Sequence, residues 1–395
     1  VYKRQVMVCS WRNIVHKFSN LVNVAKFSQV LESPATLNQP FRGIHMSEEM
    51  SPAQEIAVMM ERARAAQEQI ADYTQEQVDE LITAMVYSVA REDRSEEIAR
   101  FTVEETQLGN YAGKYLKIHR KTRATLLDII DDRSVGVIEE LPERNIVKIA
   151  KPVGVIGALS PSTNPEATPV IKAISAVKGR NAIIVAPHPR AKLTNKKICD
   201  YMRDALERCG APADLVQSID VPSLEKTNEL MAQCDRVLAT GGEAMVTAAY
   251  SSGTPALGVG VGNAVITVDD SADLDEAADK IRTSKTLDLA ASCSSDNSVL
   301  VFESIYDEFL EKLKHEGGFV IEGEDKIKLQ NVIWEDGHLN PRIVAQHAMT
   351  ITGQAGIDLP EGKTFLIVPE TGAGPDHPFS GEKLTVTMAL YKVKD

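Results

Sequence analysis

The sequence lacks any apolar run approaching the eighteen or so residues that a helix needs to cross a bilayer. It also lacks a basic excess. The 395 residues carry a formal net charge of −13, whereas binding duplex nucleic acid relies on Lys and Arg to neutralise phosphates. Neither a membrane nor a nucleic-acid partner is expected. The five cysteines, Cys9, Cys199, Cys209, Cys234 and Cys293, form no CxxC pair and no Cys/His metal spacing, and an odd number does not suit a disulfide framework. A reducing, cytoplasmic setting without a metal site is therefore expected. What is present is ordinary soluble usage, 43% hydrophobic and 25% charged, in a chain long enough for two domains.

Charge is unevenly spread. Residues 1–45 hold Lys3, Arg4, Arg12, Lys17, Lys26 and Arg42 against the single acid Glu32, a balance of +5 that leaves −18 on the remainder. Met46 then precedes a periodic acidic helix. Residues 1–45 read as a non-native or leader segment, and Met46 as the start of the domain proper. Ser51-Pro52-Ala53-Gln54 has the form of a capping box with Pro at the first helical position, and Thr74 with Gln77 repeats the box. Apolar residues at helical spacing extend the helical reading to about residue 130.

From residue 147 short apolar runs alternate with helical stretches. Candidate strands at 153–159, 182–186, 215–219 and 236–240 imply a parallel sheet with helices on its faces. A second series follows residue 258: a strand at 264–268, a helix at 274–285, a strand at 298–302 and a helix at 305–315. The expectation is an α/β fold of two domains with mostly parallel sheets: N-terminal helices and a nucleotide-binding domain over 46–258, then a thiol domain over 259–395. The chain ends within a strand, at 385–395, which reads as an exposed edge of an unfinished sheet and hence as C-terminal truncation.

Cys293 lies in a turn rich in small residues and hydroxyls, Ala290-Ala291-Ser292-Cys293-Ser294-Ser295, between a helix and a strand. Substrate can reach a thiol there, whereas Cys199, Cys209 and Cys234 fall in helices or at their ends. On spacing alone, an inert buried thiol is the commoner outcome. A run of motifs weighs against it: Lys151-Pro152-Val153-Gly154-Val155-Ile156, Pro161-Ser162-Thr163-Asn164-Pro165, Arg180-Asn181-Ala182, Pro187-His188-Pro189-Arg190-Ala191, Ala239-Thr240-Gly241-Gly242, Gly258-Val259-Gly260-Val261-Gly262-Asn263, Ser292-Cys293 and Pro378-Phe379-Ser380-Gly381-Glu382-Lys383-Leu384. Their order resembles that of the aldehyde dehydrogenase superfamily, and more closely its CoA-acylating branch.

The resemblance implies an aldehyde dehydrogenase-like fold and a two-step oxidation. The Cys293 thiolate adds to an aldehyde, a nicotinamide cofactor, NAD or NADP, takes the hydride, and a thioacyl enzyme remains. Hydrolytic members place a Glu base before the cysteine to activate water, but no Glu occurs here from Ala244 to Asp275. CoA is then the expected acceptor. The oxyanion donor is Asn164 or, aligned with the hydrolytic branch, Thr163. Asn164 could equally satisfy its own turn. Thr240, Gly241 and Gly242 fit close backbone approach to a pyrophosphate, and Glu382 resembles the residue that bonds the nicotinamide ribose. Pro187, His188 and Arg190 stand where many members hold the adenosine ribose with a Glu. Its absence would admit NADP, or the basic residues would meet CoA phosphates, or they are solvated loop residues.

The serines around Cys293 suit a polar aldehyde, and with 374–382 they look most like the acylating subgroup that acts on sulfoacetaldehyde. Acetaldehyde or succinate semialdehyde, hydrolytic oxidation, and an inactive assembly subunit are the alternatives. The native protein is expected to be a homo-oligomer.

Overall fold

Side chains close the first two helices of the described residues at their starts. Ser51 and Gln54 form a reciprocal capping box on Pro52–Gln69, as do Thr74 and Gln77 on Gln75–Ala90. Ile56, Met60, Ala63 and Ala66 bury one stripe of the first helix, and the second is buried over most of its length. The computed structural model describes residues 50–394; the expectations made for residues 1–45 lie outside them.

The described residues divide into two compact units, one of residues 50–101 with Tyr115–Val259 and the other of Thr102–Lys114 with residues 260–394. In the first unit an antiparallel hairpin joins β1 (Gly136–Leu141) and β2 (Ile146–Ala150). The parallel sheet follows with β3 (Val155–Ser160), β4 (Ala182–Pro187), β5 (Val216–Ser218), β6 (Arg236–Thr240) and β7 (Ala256–Val259), in the order β5-β4-β3-β6-β7. Every residue of β3 and β4 is buried, which explains why these runs are apolar without alternation: helices cover both faces of a parallel sheet. The hairpin was not anticipated. Its residues are almost wholly exposed, so the apolar run Ile146-Val147-Lys148-Ile149-Ala150 does not mark a buried strand.

The second unit holds β8 (Ala264–Val268), β9 (Asp296–Phe302), β10 (Gly318–Val320), a two-residue ladder of β11 (Trp334–Glu335) with β12 (His338–Leu339), then β13 (Phe365–Glu370) and β14 (Thr387–Val393). Its five-stranded sheet is parallel throughout, in the order β10-β13-β14-β9-β8. The expected exposed edge at the last strand is corrected here: β14 pairs with β13 on one side and β9 on the other, and Thr387–Leu390 are buried. Crossover connections place strands out of chain order, so the last strand in sequence need not be the last in space. Phe309, Phe365 and Phe379 anchor this unit's core.

Residues 102–114, read from periodicity as part of the first half, belong to the second unit. Helical spacing reports which face is buried, and the partner that buries it lies far away in sequence. Among the described residues no helix is long and apolar enough to cross a membrane, and no cluster of three His, Cys, Asp or Glu could hold a metal ion.

Candidate active site

In the second unit the helix Leu274–Thr286 starts on the Asp273 cap and turns Ala278, Ile281 and Lys285 inward. The chain then passes through three consecutive left-handed residues, Asp288, Leu289 and Ala290, with φ of 49°, 53° and 61°. Ser292 and Ser295 close a turn, with Ser295 N–H donating to the Ser292 carbonyl at 3.0 Å, and β9 begins at Asp296. Cys293 stands exposed on that turn, while Cys199 and Cys234 are buried. Desolvation pushes the Cys199 thiol up to about 12, which suits a core residue rather than a nucleophile.

Cys293, Lys285, Ser292, Asn297, Gly262 and Glu382 line a cavity of about 10 Å³, roughly one water in size. Gly262 packs beside both: a Cβ there would lie in ordinary contact, 3.5 Å from the Cys293 carbonyl oxygen and 3.6 Å from Glu382 Oε1. The structure thus brings Cys293 and Glu382 to one place from sequence positions far apart. Amide bonds fix the Glu382 segment, with Asn297 Nδ2 donating to Asn263 Oδ1 at 2.6 Å and to the Gly381 carbonyl at 2.5 Å, and Asn263 Nδ2 donating to the Ser380 carbonyl at 2.8 Å. Burial raises the Glu382 carboxyl, opposed by the Gly262 N–H, Lys285 and Lys383. Its Oε1 is buried with no hydrogen-bond partner among the described residues.

The serines are mostly occupied. Ser295 Oγ donates to the Ser284 carbonyl, Ser298 Oγ to the Ser380 carbonyl, and Ser292 Oγ lies 2.9 Å from Ser294 Oγ. Ser294 is the exposed one, so the ring of hydroxyls read from sequence reduces to a single accessible group beside the thiol.

The other sequence-derived residues belong to the first unit and share the carboxyl edge of its parallel sheet. Thr163 and Asn164 follow β3, Pro187 ends β4 and leads to His188 and Arg190, and Thr240 ends β6 and leads to Gly241 and Gly242. The strand order runs outward in both directions from β3 and β6, and the crevice at such a reversal is where open α/β sheets bind ligands. Gly242 caps the helix Glu243–Ser251. Asn164 Nδ2 lies 3.3 Å from Thr163 Oγ1. His188 Nδ1 accepts the Arg190 N–H at 3.1 Å, and both residues are exposed. Between β7 and β8 the glycines of 258–262 link strand to strand, so no helix start stands there to meet a phosphate.

A profile of the aldehyde dehydrogenase family matches residues 35–351. The chain belongs to that family. It is similar to a sulfoacetaldehyde dehydrogenase from an Acholeplasma species, 45% identical over 341 residues that make up 85% of this chain and 70% of the relative. Among solved structures it is similar to an acetylating aldehyde dehydrogenase from Geobacillus thermoglucosidasius, with a TM-score of 0.83, 38% identity, and coverage of 87% of this chain and 76% of that one. A propionaldehyde dehydrogenase from Rhodopseudomonas palustris with bound propionyl-CoA follows at a TM-score of 0.75 and 26% identity, covering 86% and 75%.

Sequence reasoning missed two lysines of this aldehyde dehydrogenase, the buried Lys285 and the half-buried Lys172. Lys285, on the cavity wall, is pushed down to about 7 by desolvation against the pull of Asp296 and Glu382. Lys172 is likewise pushed down to about 7 by burial, and its Nζ donates to the Leu159 and Leu238 carbonyls of β3 and β6 at 2.6 and 2.8 Å. The signal for Lys285 was available: it falls on the same stripe as Ala278 and Ile281, where a solvated lysine does not belong.

Proposed function

We propose that the chain oxidises a short polar aldehyde with NAD or NADP and CoA to the acyl-CoA, through a thioester on Cys293, with sulfoacetaldehyde the favoured substrate. The observation that carries this reading is the exposed Cys293 at a cavity shared with Glu382, in a chain with no Glu between Ala244 and Asp275. The Cys293 thiolate adds to the aldehyde carbon. The developing oxyanion takes the Cys293 backbone N–H and the amide of Asn164, with Thr163 as the alternative donor. The nicotinamide cofactor supplies the hydride acceptor when bound. The stretch from Ala244 to Asp275 holds no Glu in the place the hydrolytic branch uses to activate water, so the CoA thiolate attacks the thioester and releases the cysteine. The balance is aldehyde, CoA and oxidised cofactor giving acyl-CoA, reduced cofactor and a proton.

The residues fit the cofactor. Glu382 Oε1 is a buried acceptor in want of a donor, as a ribose hydroxyl would provide. Thr240, Gly241 and Gly242 present the start of a helix to the pyrophosphate. Pro187, His188 and Arg190 stand at the next strand exit, with no carboxylate to repel a 2′-phosphate, and serve the adenosine end or the CoA phosphates. The similarity to relatives named for sulfoacetaldehyde and for acetylation supports the substrate class. A cytoplasmic homo-oligomer completes the proposal, and Val147 and Ile149, exposed on the β1–β2 hairpin, offer it apolar surface.

The test is cofactor reduction with sulfoacetaldehyde, acetaldehyde and succinate semialdehyde, each with and without CoA and with NAD or NADP. CoA-dependent turnover fastest on sulfoacetaldehyde is expected. Turnover independent of CoA would move the chain to the hydrolytic branch, and CoA-dependent turnover fastest on another aldehyde would overturn the substrate alone.

A further inference from the structure

Six of the nine non-glycine residues with left-handed backbone among the described residues, Gln107, Asp288, Leu289, Ala290, Ala345 and Leu384, gather around the turn that carries Cys293. Each such residue is unfavourable for a side chain with a Cβ and persists only where its surroundings over-determine it. Those surroundings come from Thr102–Lys114. Lys114 Nζ lies 3.0 Å from Asp288 Oδ2, with both side chains fully buried. Asp288 Oδ1 accepts the Asn110 N–H at 2.9 Å, and Asn110 Oδ1 accepts the Gly113 N–H at 2.7 Å. The approach is too close for side chains: a Cβ at Gly109 would lie 1.9 Å from Asp288 Oδ1, and one at Gly113 2.4 Å from Asp288 Cα. Leu108 packs on Ala291 and Ala345, the Gly109 N–H donates to the Ala345 carbonyl at 3.0 Å, and the Ala345 N–H donates to the Leu384 carbonyl at 2.8 Å. Leu384 in turn lines the Cys293 cavity.

We propose that the buried Lys114–Asp288 pair is a clasp that fixes the turn bearing Cys293, so that both are positioning residues for the nucleophile. The proposal rests on Cys293 being the reactive thiol. A buried ion pair is on balance no more stabilising than well-packed apolar residues of the same volume. What this one supplies, together with two glycines cut to its shape, is a single backbone geometry five residues before the thiol. Lys114 reaches neither substrate nor thiol; its influence passes through Asp288 and the left-handed turn.

The experiment compares Asp288→Asn, Gly113→Ala and the neutral pair Lys114→Gln with Asp288→Asn in the full chain. The readouts are the thermal transition, kcat and KM, and the rate at which iodoacetamide alkylates Cys293, followed by mass spectrometry. The alkylation rate does not depend on dehydrogenase activity, so it still decides the clasp if the proposed reaction fails. A misplacement of about 1 Å is enough for a loss of order a hundred-fold in such sites. Folded Asp288→Asn and Gly113→Ala should therefore lose at least about ten-fold in kcat, with KM within about two-fold and a matching change in Cys293 alkylation. The neutral pair, which restores a hydrogen bond without a lone buried charge, should recover much of it. The proposal is overturned if the folded variants keep kcat and alkylation within about two-fold of the parent. It is equally overturned if both single variants change Cys293 only by unfolding, since the pair is then structural.

Discussion

In the first unit the residues proposed for ligand binding stand at ordinary exits from a parallel sheet, where a strand ends and a helix or turn begins. In the second the proposed nucleophile stands beyond three left-handed residues held from Lys114 and Asn110. Both sheets have five parallel strands, so architecture does not account for the contrast. Affinity for a phosphate or ribose tolerates a loop that settles around its ligand. A covalent step at one sulfur requires that the turn be placed beforehand, and placement is where strain is stored. The first unit takes its site from topology, while the second builds its site against backbone preference.

The thiols test that contrast most severely. Cys293→Ala should lower aldehyde-dependent cofactor reduction by at least about a thousand-fold, the scale seen when an activated nucleophile is removed. Cys199→Ala, in the core of the first unit, should leave kcat within about two-fold and cost about 1 kcal/mol of unfolding free energy for the small cavity it opens. Retained turnover in the first variant would remove the thiol mechanism altogether.

The same contrast explains what could be read in advance. The capping boxes at Ser51 and Thr74, the buried runs of β3 and β4, and the helix-strand alternation are local in sequence, and periodicity reports them. Cys293 and Glu382 were found through motif order, which orders residues in sequence but gives no distances. The place of Thr102–Lys114, the central position of β14 and the occupation of Ser295 and Ser298 by backbone carbonyls depend on partners far away in sequence. No window along the chain contains both halves of such a contact.

A half-buried lysine in the first unit and a buried one in the second sharpen the comparison at the next level. Both are pushed down to about 7. The unfolded chain holds its lysine proton up to about pH 10, so the penalty for burial is fully present below about pH 7 and fades as the pH rises towards 10. Lys285 faces Asp296 and Glu382, with Lys383 opposing, whereas Lys172 ties two strands through carbonyls. Lys285→Met should therefore stabilise the fold by about 2 kcal/mol more at pH 6 than at pH 9, read from denaturant unfolding. Lys172→Met relieves the same desolvation but strands the Leu159 and Leu238 carbonyls, each worth about 1 kcal/mol or more when left unpaired, so its net gain should be smaller at every pH. Equal gains would mean that the two lysines differ only in address.

Glu382 gives the finest test, because its buried Oε1 lines the Cys293 cavity and has no hydrogen-bond partner among the described residues. Glu382→Gln keeps the volume and the Gly262 contact but exchanges a charged acceptor for a neutral one. A hydrogen bond to a charged group contributes about 1.5 to 3 kcal/mol, so the KM for the nicotinamide cofactor should rise about ten-fold. Burial raises the Glu382 carboxyl, so the parent enzyme should lose cofactor affinity on acidification at a higher pH than an ordinary glutamate would impose, and the Gln variant should lose that dependence. A KM and a pH profile that both match the parent would leave the buried Oε1 without a ligand to explain it, and would confine cofactor recognition to the strand exits of the first unit.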